Sequence, residues 1–390
     1  MRVRGISFIL LLGGMGMAFW GCSSQPESTA DLFSDRPVYE LKAEGRLPWM
    51  LRGAGSFLVF DDRIVLRQYK NTEFLLSLHD LATGDTLKTF ALYGEGPDEY
   101  TFIGGPYRIN DSVFVTWSGN TNEYASFYNL NECSPEQPFH PFYRIDLREV
   151  KTPHKGKMFD PLYAVFTPEG DTILLGRALP VELQERKMYA TYLAGEKKLN
   201  YFEDFPLYTG TDQPYPVFVA TNLYYGPMAI NRAGDRLFSA VFFGDILDFL
   251  QVDRQGKITP IKQYHFAPPV FREAGKNVGV EMDKTIRYYR DIQWNDGKVY
   301  VLTASGKTIR QEQELVSAEY DRLEATGKEN IYTSIYVFSQ DGDPLYTLRL
   351  DVNPLMMDFW GDTLYVDYYN VEGDKEVRFY DLSSLPQKES

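Results

Sequence analysis

Apolar and polar positions along this chain alternate in short bursts, and the bursts recur at regular intervals. A strand-like run rich in Val, Ile, Leu, Phe or Tyr is followed by a tight turn built on Asp, Asn or Gly. A second such run then completes the pattern of a β-hairpin. The unit occurs at Phe57–Tyr69, Tyr107–Trp117, Tyr163–Leu175, Met228–Phe242, Ile292–Leu302 and Met357–Tyr368. After each comes a second hairpin, at Leu75–Phe90, Tyr124–Phe142, Met188–Phe202, Ile246–Ile261, Ile335–Leu350 and, cut short, Val377–Leu382. Four strands per unit, repeated six times, predict an all-β fold: a six-bladed β-propeller of four-stranded antiparallel blades.

The sixth copy stops after its third strand, with a polar tail beyond Leu382. Val38–Lys42 (VYELK) precedes the first complete unit and has no partner of its own. It is therefore expected to pair with Val377–Leu382 as an N-terminal strand that closes the ring and hides the exposed edge. The turn aspartates Asp62, Asp111, Asp171, Asp235, Asp296 and Asp362 lie 49, 60, 64, 61 and 66 residues apart, longer than the roughly 40 to 50 residues of common propeller repeats. The excess falls in Tyr93–Pro106, Arg148–Asp160, Gly176–Lys187, Leu207–Pro227, Ala267–Asp291 and Ala304–Thr333. All of these follow strand 2 or strand 4 of a blade. In a meander those connections emerge on one face, so that face is expected to carry the long loops and the binding residues. Thr308–Ala325 repeats apolar residues at helical spacing, which predicts a helix there, either capping the channel mouth or packed on neighbouring blades.

The start of the chain departs from this pattern. Arg2 and Arg4 precede an apolar run from Ile6 to Trp20, the arrangement of a signal peptide spanning residues 1–21. The segment Phe19-Trp20-Gly21-Cys22 resembles a bacterial lipobox, with Phe19 where Leu is usual. That resemblance implies acylation of Cys22, and Ser23, in place of an inner-membrane retention aspartate, favours the outer membrane. Ser23 to Asp35 is rich in Ser, Pro and acids, so residues 22–36 are expected to form a lipid-anchored flexible tether and 37–385 the propeller domain. The net charge is −14, and removing residues 1–21 takes away two arginines and no acid, leaving −16. Such a surface repels nucleic acid and anionic lipid, so contact with the membrane is expected through the lipid only. With Cys22 acylated, Cys133 is the sole other cysteine and no intrachain disulfide is available.

The segment Gly94-Glu95-Gly96-Pro97-Asp98-Glu99-Tyr100 is similar to the G-x-G-P-x-E-[YF] motif that TolB-like six-bladed propeller lipoproteins of Bacteroidetes carry after the first blade, with Asp98 where Gly is frequent. The resemblance covers nearly all of the sequence after Cys22. It implies the fold and a place in the cell envelope, and no particular activity.

Candidate chemistry is sparse. His79, His140, His154 and His265 form no HxH, HxxxH or HExxH pair, and neither a G-x-S-x-G elbow nor a phosphate-binding loop is present, so no metal or cofactor is expected. Glu95, Asp98 and Glu99 gather carboxylates on the long-loop face, either to bind a cation or basic group or to accept backbone hydrogen bonds in their own turn. With Tyr100 they are candidate ligand-binding residues. Arg108, Tyr163, Tyr225, Arg290 and Asp358, placed by loop parity at the mouth-side ends of first strands, complete the candidate set. No catalytic residue is assigned. The leading expectation is a non-catalytic binding or scaffolding protein whose long-loop face engages an envelope protein, peptide or glycan. Two alternatives stay open: a propeller hydrolase or lyase using a carboxylate pair on an oligosaccharide or peptide, and a sensor that signals by ligand occupancy.

Overall fold

The computed structural model describes residues 26–386 except 52, 69–72, 97–98, 119–123, 149–155, 169, 181–186, 207–222, 275–276, 305, 312–332 and 371. The signal peptide, Cys22, and the predicted helix beyond its opening turn at residues 309–311 lie outside the described residues.

Six blades of four antiparallel strands succeed one another along the chain, blades 1 to 5 with those strands in sequence order and blade 6 with its outer strand supplied from the N-terminus. Blade 1 comprises Ala54–Phe60, Arg63–Gln68, Phe74–Asp80 and Thr86–Leu92. Blade 2 comprises Tyr107–Arg108, Val113–Ser118, Tyr124–Asn129 and Tyr143–Asp146. Blade 3 comprises Gly156–Phe166, Thr172–Pro180, Lys187–Leu193 and Lys198–Asp204. Blade 4 comprises Met228–Ile230, Arg236–Ala240, Asp245–Val252 and Ile258–Ala267. Blade 5 comprises Tyr289–Asn295, Lys298–Thr303, Ile335–Ser339 and Pro344–Leu350. Blade 6 takes Met356–Trp360, Thr363–Tyr369 and Lys375–Asp381 from the end of the chain. The fold is therefore the six-bladed propeller that the hairpin count predicts.

The ring closes with a different N-terminal segment from the one expected. Gly45–Arg46 pairs antiparallel with Phe379 and Arg378, and the amides of Glu44 and Leu47 extend that pairing to the carbonyls of Phe379 and Val377. Val38–Leu41 instead adds a fifth, parallel strand to blade 5, with Val38 opposite Thr347 and Leu41 opposite Leu350. Alternation decides this placement. Tyr39 and Leu41 turn into the seam between blades 5 and 6, where the Tyr39 ring meets Tyr346 edge-on at 5.3 Å, while Val38 and Glu40 face solvent.

The core consists of six seams between neighbouring blades rather than one central mass. Phe60, Leu78, Phe114 and Tyr128 fill the seam of blades 1 and 2. Phe127, Leu162 and Leu174 fill the next, and Phe238, Phe249, Ile292 and Phe338 lie between blades 4 and 5. Because each sheet is covered on both faces, its middle strands read as continuous apolar runs; all six residues of Lys298–Thr303 are buried. The turns follow their chemistry. Asp296 and Gly297 hold φ of 44° and 73°, the paired positive values of a two-residue hairpin turn.

One seam is polar. Arg177, fully buried between blades 3 and 4, donates to the carbonyls of Ala240 at 2.8 Å and Gly226 at 3.2 Å. A Cβ at Gly226 would stand 2.1 Å from the Ala240 oxygen, so only glycine permits that approach. Beside it the Tyr189 hydroxyl donates to Asp248 at 2.5 Å, and His265 Nε2 lies 2.7 Å from the same carboxylate.

Two long segments also differ from expectation. The first hairpin of blade 3 continues through Gly156–Phe159 paired with Arg177–Pro180, so part of the expected loop is strand. Phe271–Ala274 and Asn277–Val280 form a small hairpin of their own after blade 4. Residues 29–33, expected to lie within a flexible tether, are docked on the ring. Thr29 is buried, its amide and hydroxyl bonded to the Asp245 carboxylate at 3.0 and 2.6 Å, and the Tyr289 hydroxyl donates to Thr29 Oγ1 at 2.8 Å. A 3-10 turn, Ala30–Phe33, then inserts Phe33 into the seam of blades 4 and 5, stacked on Tyr336 at 4.4 Å. A single aromatic and one buried threonine outweigh the polar average of the segment.

Truncating that aromatic gives a measurable loss. Phe33→Ala is expected to lower the unfolding free energy by about 3 kcal/mol, the lower end for a buried phenylalanine because the side chain lies at the outside of its seam. Urea titration reads the effect; an unchanged midpoint would show that residues 29–33 are not docked in solution.

Candidate functional site

The first strands of the six blades surround a central channel of about 1790 Å³, which runs from the 1-2 turns at one end to the 4-1 connections at the other. The first strand of each blade has no strand neighbour on its axial side, so backbone groups on that edge need other partners. Side chains from adjacent blades supply them. Asp291 in blade 5 accepts the Met357 amide of blade 6 at 2.9 Å, as well as its own neighbour Ile292 at 2.8 Å. Asp358 in blade 6 accepts the Val59 amide of blade 1 at 2.6 Å. Asp367, in the second strand of blade 6, takes the Met356 amide at 2.7 Å and pairs with Lys375 at 2.5 Å.

Arg108 spans three blades from blade 2. It pairs with Asp358 at 2.7 Å, donates to the Phe359 carbonyl at 2.6 Å and to the Val59 carbonyl, and lies over the Phe60 and Trp360 rings at 5.1 and 5.4 Å. Burial raises the Asp358 pKa above the usual carboxylate range, and Arg108 and the Val59 amide partly offset that shift. Asp291 is pushed up to about 7 by burial, against the pull of the Met357 and Ile292 amides and Gln293, with nearby Asp367 adding to the rise.

Several sequence-chosen residues do come together around the channel, at different heights. Tyr225 and Arg290 lie at the long-loop end; Tyr225 meets the Phe242 ring at 5.4 Å, and Arg290 donates to the Pro354 carbonyl at 3.0 Å. Tyr163 sits further in, its hydroxyl donating to the Met228 carbonyl and its ring 4.7 Å from Tyr107. Arg108 and Asp358 lie toward the short-turn end, not at the mouth. The reason is that the first strand of blade 2 has only two residues. Ile103 and Gly104 of the preceding connection occupy the upper position instead, beside Ser118 and Trp117.

No described residue of the Gly94–Tyr100 loop is part of the channel lining. Glu99 folds back so that its carboxylate accepts the Gly96 amide at 2.8 Å, and a Cβ on Gly94 would overlap that carboxylate at 1.9 Å. Tyr100 is buried and takes a hydrogen bond from Arg144 at 2.7 Å. Glu95 is exposed, and Asp98 lies outside the described residues. The loop thus uses Glu99 and Tyr100 for its own turn and for the seam of blades 1 and 2.

Sequence reasoning missed Asp291, Arg67 and Arg287. Asp291 occupies a first-strand position two residues nearer the long-loop end than Asp358, a repeat of carboxylate placement that aligning the hairpins exposes. Arg67 and Arg287 follow no such pattern. With Arg290 they line the long-loop end of the channel, where Arg67 lies over Phe102 and Arg287 over Phe243, each at 5.8 Å. The described acids of the lining lie elsewhere. Asp111, Asp296 and Asp362 stand in or beside the 1-2 turns, and Asp291 and Asp358 are buried against backbone.

No family model matches this chain, and no curated protein matches it. Among solved structures it is similar to a member of the DUF4221 family from Bacteroides vulgatus, 15% identical over 87% of this chain and 97% of that one, with a TM-score of 0.49. It is also similar to the calcium-binding protein regucalcin from Agrobacterium tumefaciens (12%, 88% and 96%, TM-score 0.40) and to BamB from Moraxella catarrhalis (8%, 83% and 71%, TM-score 0.36). These likenesses carry no argument here; the fold rests on the sheet order above.

The raised Asp291 pKa has a signed consequence for stability. Between pH 4 and 7 the folded state holds a proton that the unfolded chain has lost, so stability from this group is full below about pH 4 and falls as pH rises toward 7. The gap between 3.8 and about 7 corresponds to a loss on the order of 4 kcal/mol. Asp291→Asn is expected to flatten that part of the profile relative to wild type in urea melts at pH 4.5 and 7.5. Parallel profiles would show that Asp291 ionises normally in the fold.

Proposed function

We propose that this chain is an exported, lipid-anchored propeller that binds rather than catalyses, and that the long-loop mouth of its channel takes an acidic group carried by an envelope protein, peptide or glycan. The observation that carries the reading is the division of charge along the channel. Arg67 from blade 1 and Arg287 and Arg290 from the entry to blade 5 line one end; at the other, Asp111, Asp296 and Asp362 stand with Arg108 and Arg232, which pair with Asp358 and Asp111 at 2.7 and 2.6 Å, and Asp291 is buried against backbone. Guanidinium groups beside aromatic rings in a concave site suit carboxylate, sulfate or phosphate recognition.

A non-catalytic role is supported by the engagement of Asp291 and Asp358 with strand amides of the next blade, since a carboxylate holding the ring together is poorly placed to exchange protons with substrate. Kinship with the TolB-like lipoproteins is supported by the Gly94–Tyr100 motif, and anchoring through Cys22 at the outer membrane by the lipobox-like segment.

Calorimetry of the mature chain against uronate oligosaccharides, sulfated oligosaccharides and glutamate-rich peptides tests this, with neutral oligosaccharides as the comparison. Arg67→Ala and Arg287→Ala are each expected to weaken binding of the acidic probe by about tenfold, since a hydrogen bond to a charged group contributes about 1.5–3 kcal/mol. Equal affinity for neutral probes, untouched by either substitution, would overturn the reading.

A further inference from the structure

We infer that the long-loop mouth faces the membrane, held there by the docking of residues 29–33 on blades 4 and 5. The inference rests on the lipid-anchor reading above and adds an orientation to it.

The chain leaves the ring at a defined point. Thr29 bonds to Asp245 and Tyr289, which are the first residues of the third strand of blade 4 and the first strand of blade 5. Both strands begin at the end of the blade where the 2-3 turns and 4-1 connections emerge, so Thr29 is fixed at the long-loop end. Phe33, buried against Tyr336 and Phe338, secures the segment from the other side. The Glu27 amide already bonds to Asp31 at 3.0 Å.

Six residues separate Cys22 from Thr29, and the seven Cα-to-Cα steps, at about 3.3–3.6 Å each, reach at most about 25 Å whatever their path. The third strand of blade 4, with eight residues, sets the thickness of the ring at about 25 Å. To seat the short-turn face on the bilayer, the tether would have to descend that whole thickness. It would then be exhausted before the acyl chains entered the lipid. With the long-loop face toward the bilayer, the same six residues suffice with slack. A flexible tether running from residue 22 to residue 36, as composition alone suggests, would impose no such choice.

The test is energy transfer on vesicles of phosphatidylethanolamine and phosphatidylglycerol that carry an acceptor on the headgroup. Full-length protein acylated at Cys22, in a Cys133→Ser background, is labelled at one of two exposed positions in blade 4. Val270→Cys reports the long-loop end and Arg254→Cys the 3-4 turn, so both sit at the same place around the ring. A height difference of about 25 Å makes transfer from the Val270 label at least about twofold greater. Phe33→Ala, which frees the segment, is expected to bring the two labels closer together. Equal or reversed transfer in vesicle-bound wild-type protein overturns the orientation and leaves the anchor standing. Failure of the acylated protein to stay with the vesicles overturns the anchor and the orientation with it.

Discussion

The first strand of every blade presents a hydrogen-bonding edge to the channel that no further strand can cover, and the rest of the ring is arranged around that constraint. A buried amide or carbonyl left without a partner costs about 1–3 kcal/mol. The chain meets the cost with side chains sent across blade boundaries: Asp291 to blade 6, Asp358 to blade 1, Tyr163 to blade 4, and Arg108 to blades 1 and 6. Each of these contacts joins two blades by a bond to backbone, so apolar seams and axial hydrogen bonds close the same ring. The arrangement also sorts the polar residues of the channel. Those tied to strand edges hold the blades in register, and what they hold in place is the arginine-lined end.

Much of the fold was legible in the sequence because turn chemistry and alternation agree in each repeat. Asn295-Asp296-Gly297 between two alternating runs is a hairpin at sequence level and one in space, with the positive φ values that the turn requires. What could not be read was which open edge an unpartnered strand would choose. Val38–Leu41 has the alternation of a strand and Gly45–Arg46 has none, yet the second closes blade 6 and the first adds to blade 5. Strand propensity describes how well a segment fits a pleated surface, and two such surfaces were open to it. Composition misled in the same way at residues 29–33, where Thr29 and Phe33 are lost in a polar average.

The site was legible in outline only. Loop parity finds the first strands and the loaded face, so Tyr225 and Arg290 lie where that reasoning puts them. It does not fix height along the axis. Arg108 and Asp358, 250 residues apart, meet near the short-turn end because blade 2 contributes a two-residue first strand. The carboxylate loop Gly94–Tyr100 carried the most specific motif, and Glu99 within it is spent on its own turn: Gly94 is small because Glu99 folds over it. A motif can be specific because a backbone path demands it, without any ligand entering.

A net charge of −14 around an arginine-lined mouth sets two fields against each other. At long range an acidic ligand meets a negative protein and is repelled. Beyond a Debye length of about 8 Å at physiological salt that repulsion is largely screened, and inside a low-dielectric mouth the local arginines dominate. The consequence is a site with little electrostatic steering and strong short-range selection, one that fills slowly from dilute solution. Confinement removes that handicap. On the proposed anchoring, a partner held at the same surface meets the mouth at an effective concentration set by the six residues between Cys22 and Thr29 rather than by bulk diffusion. On that proposed anchoring, short tether, loaded face and negative surface are parts of one arrangement, which favours an acidic ligand already present at the membrane over one arriving from solution.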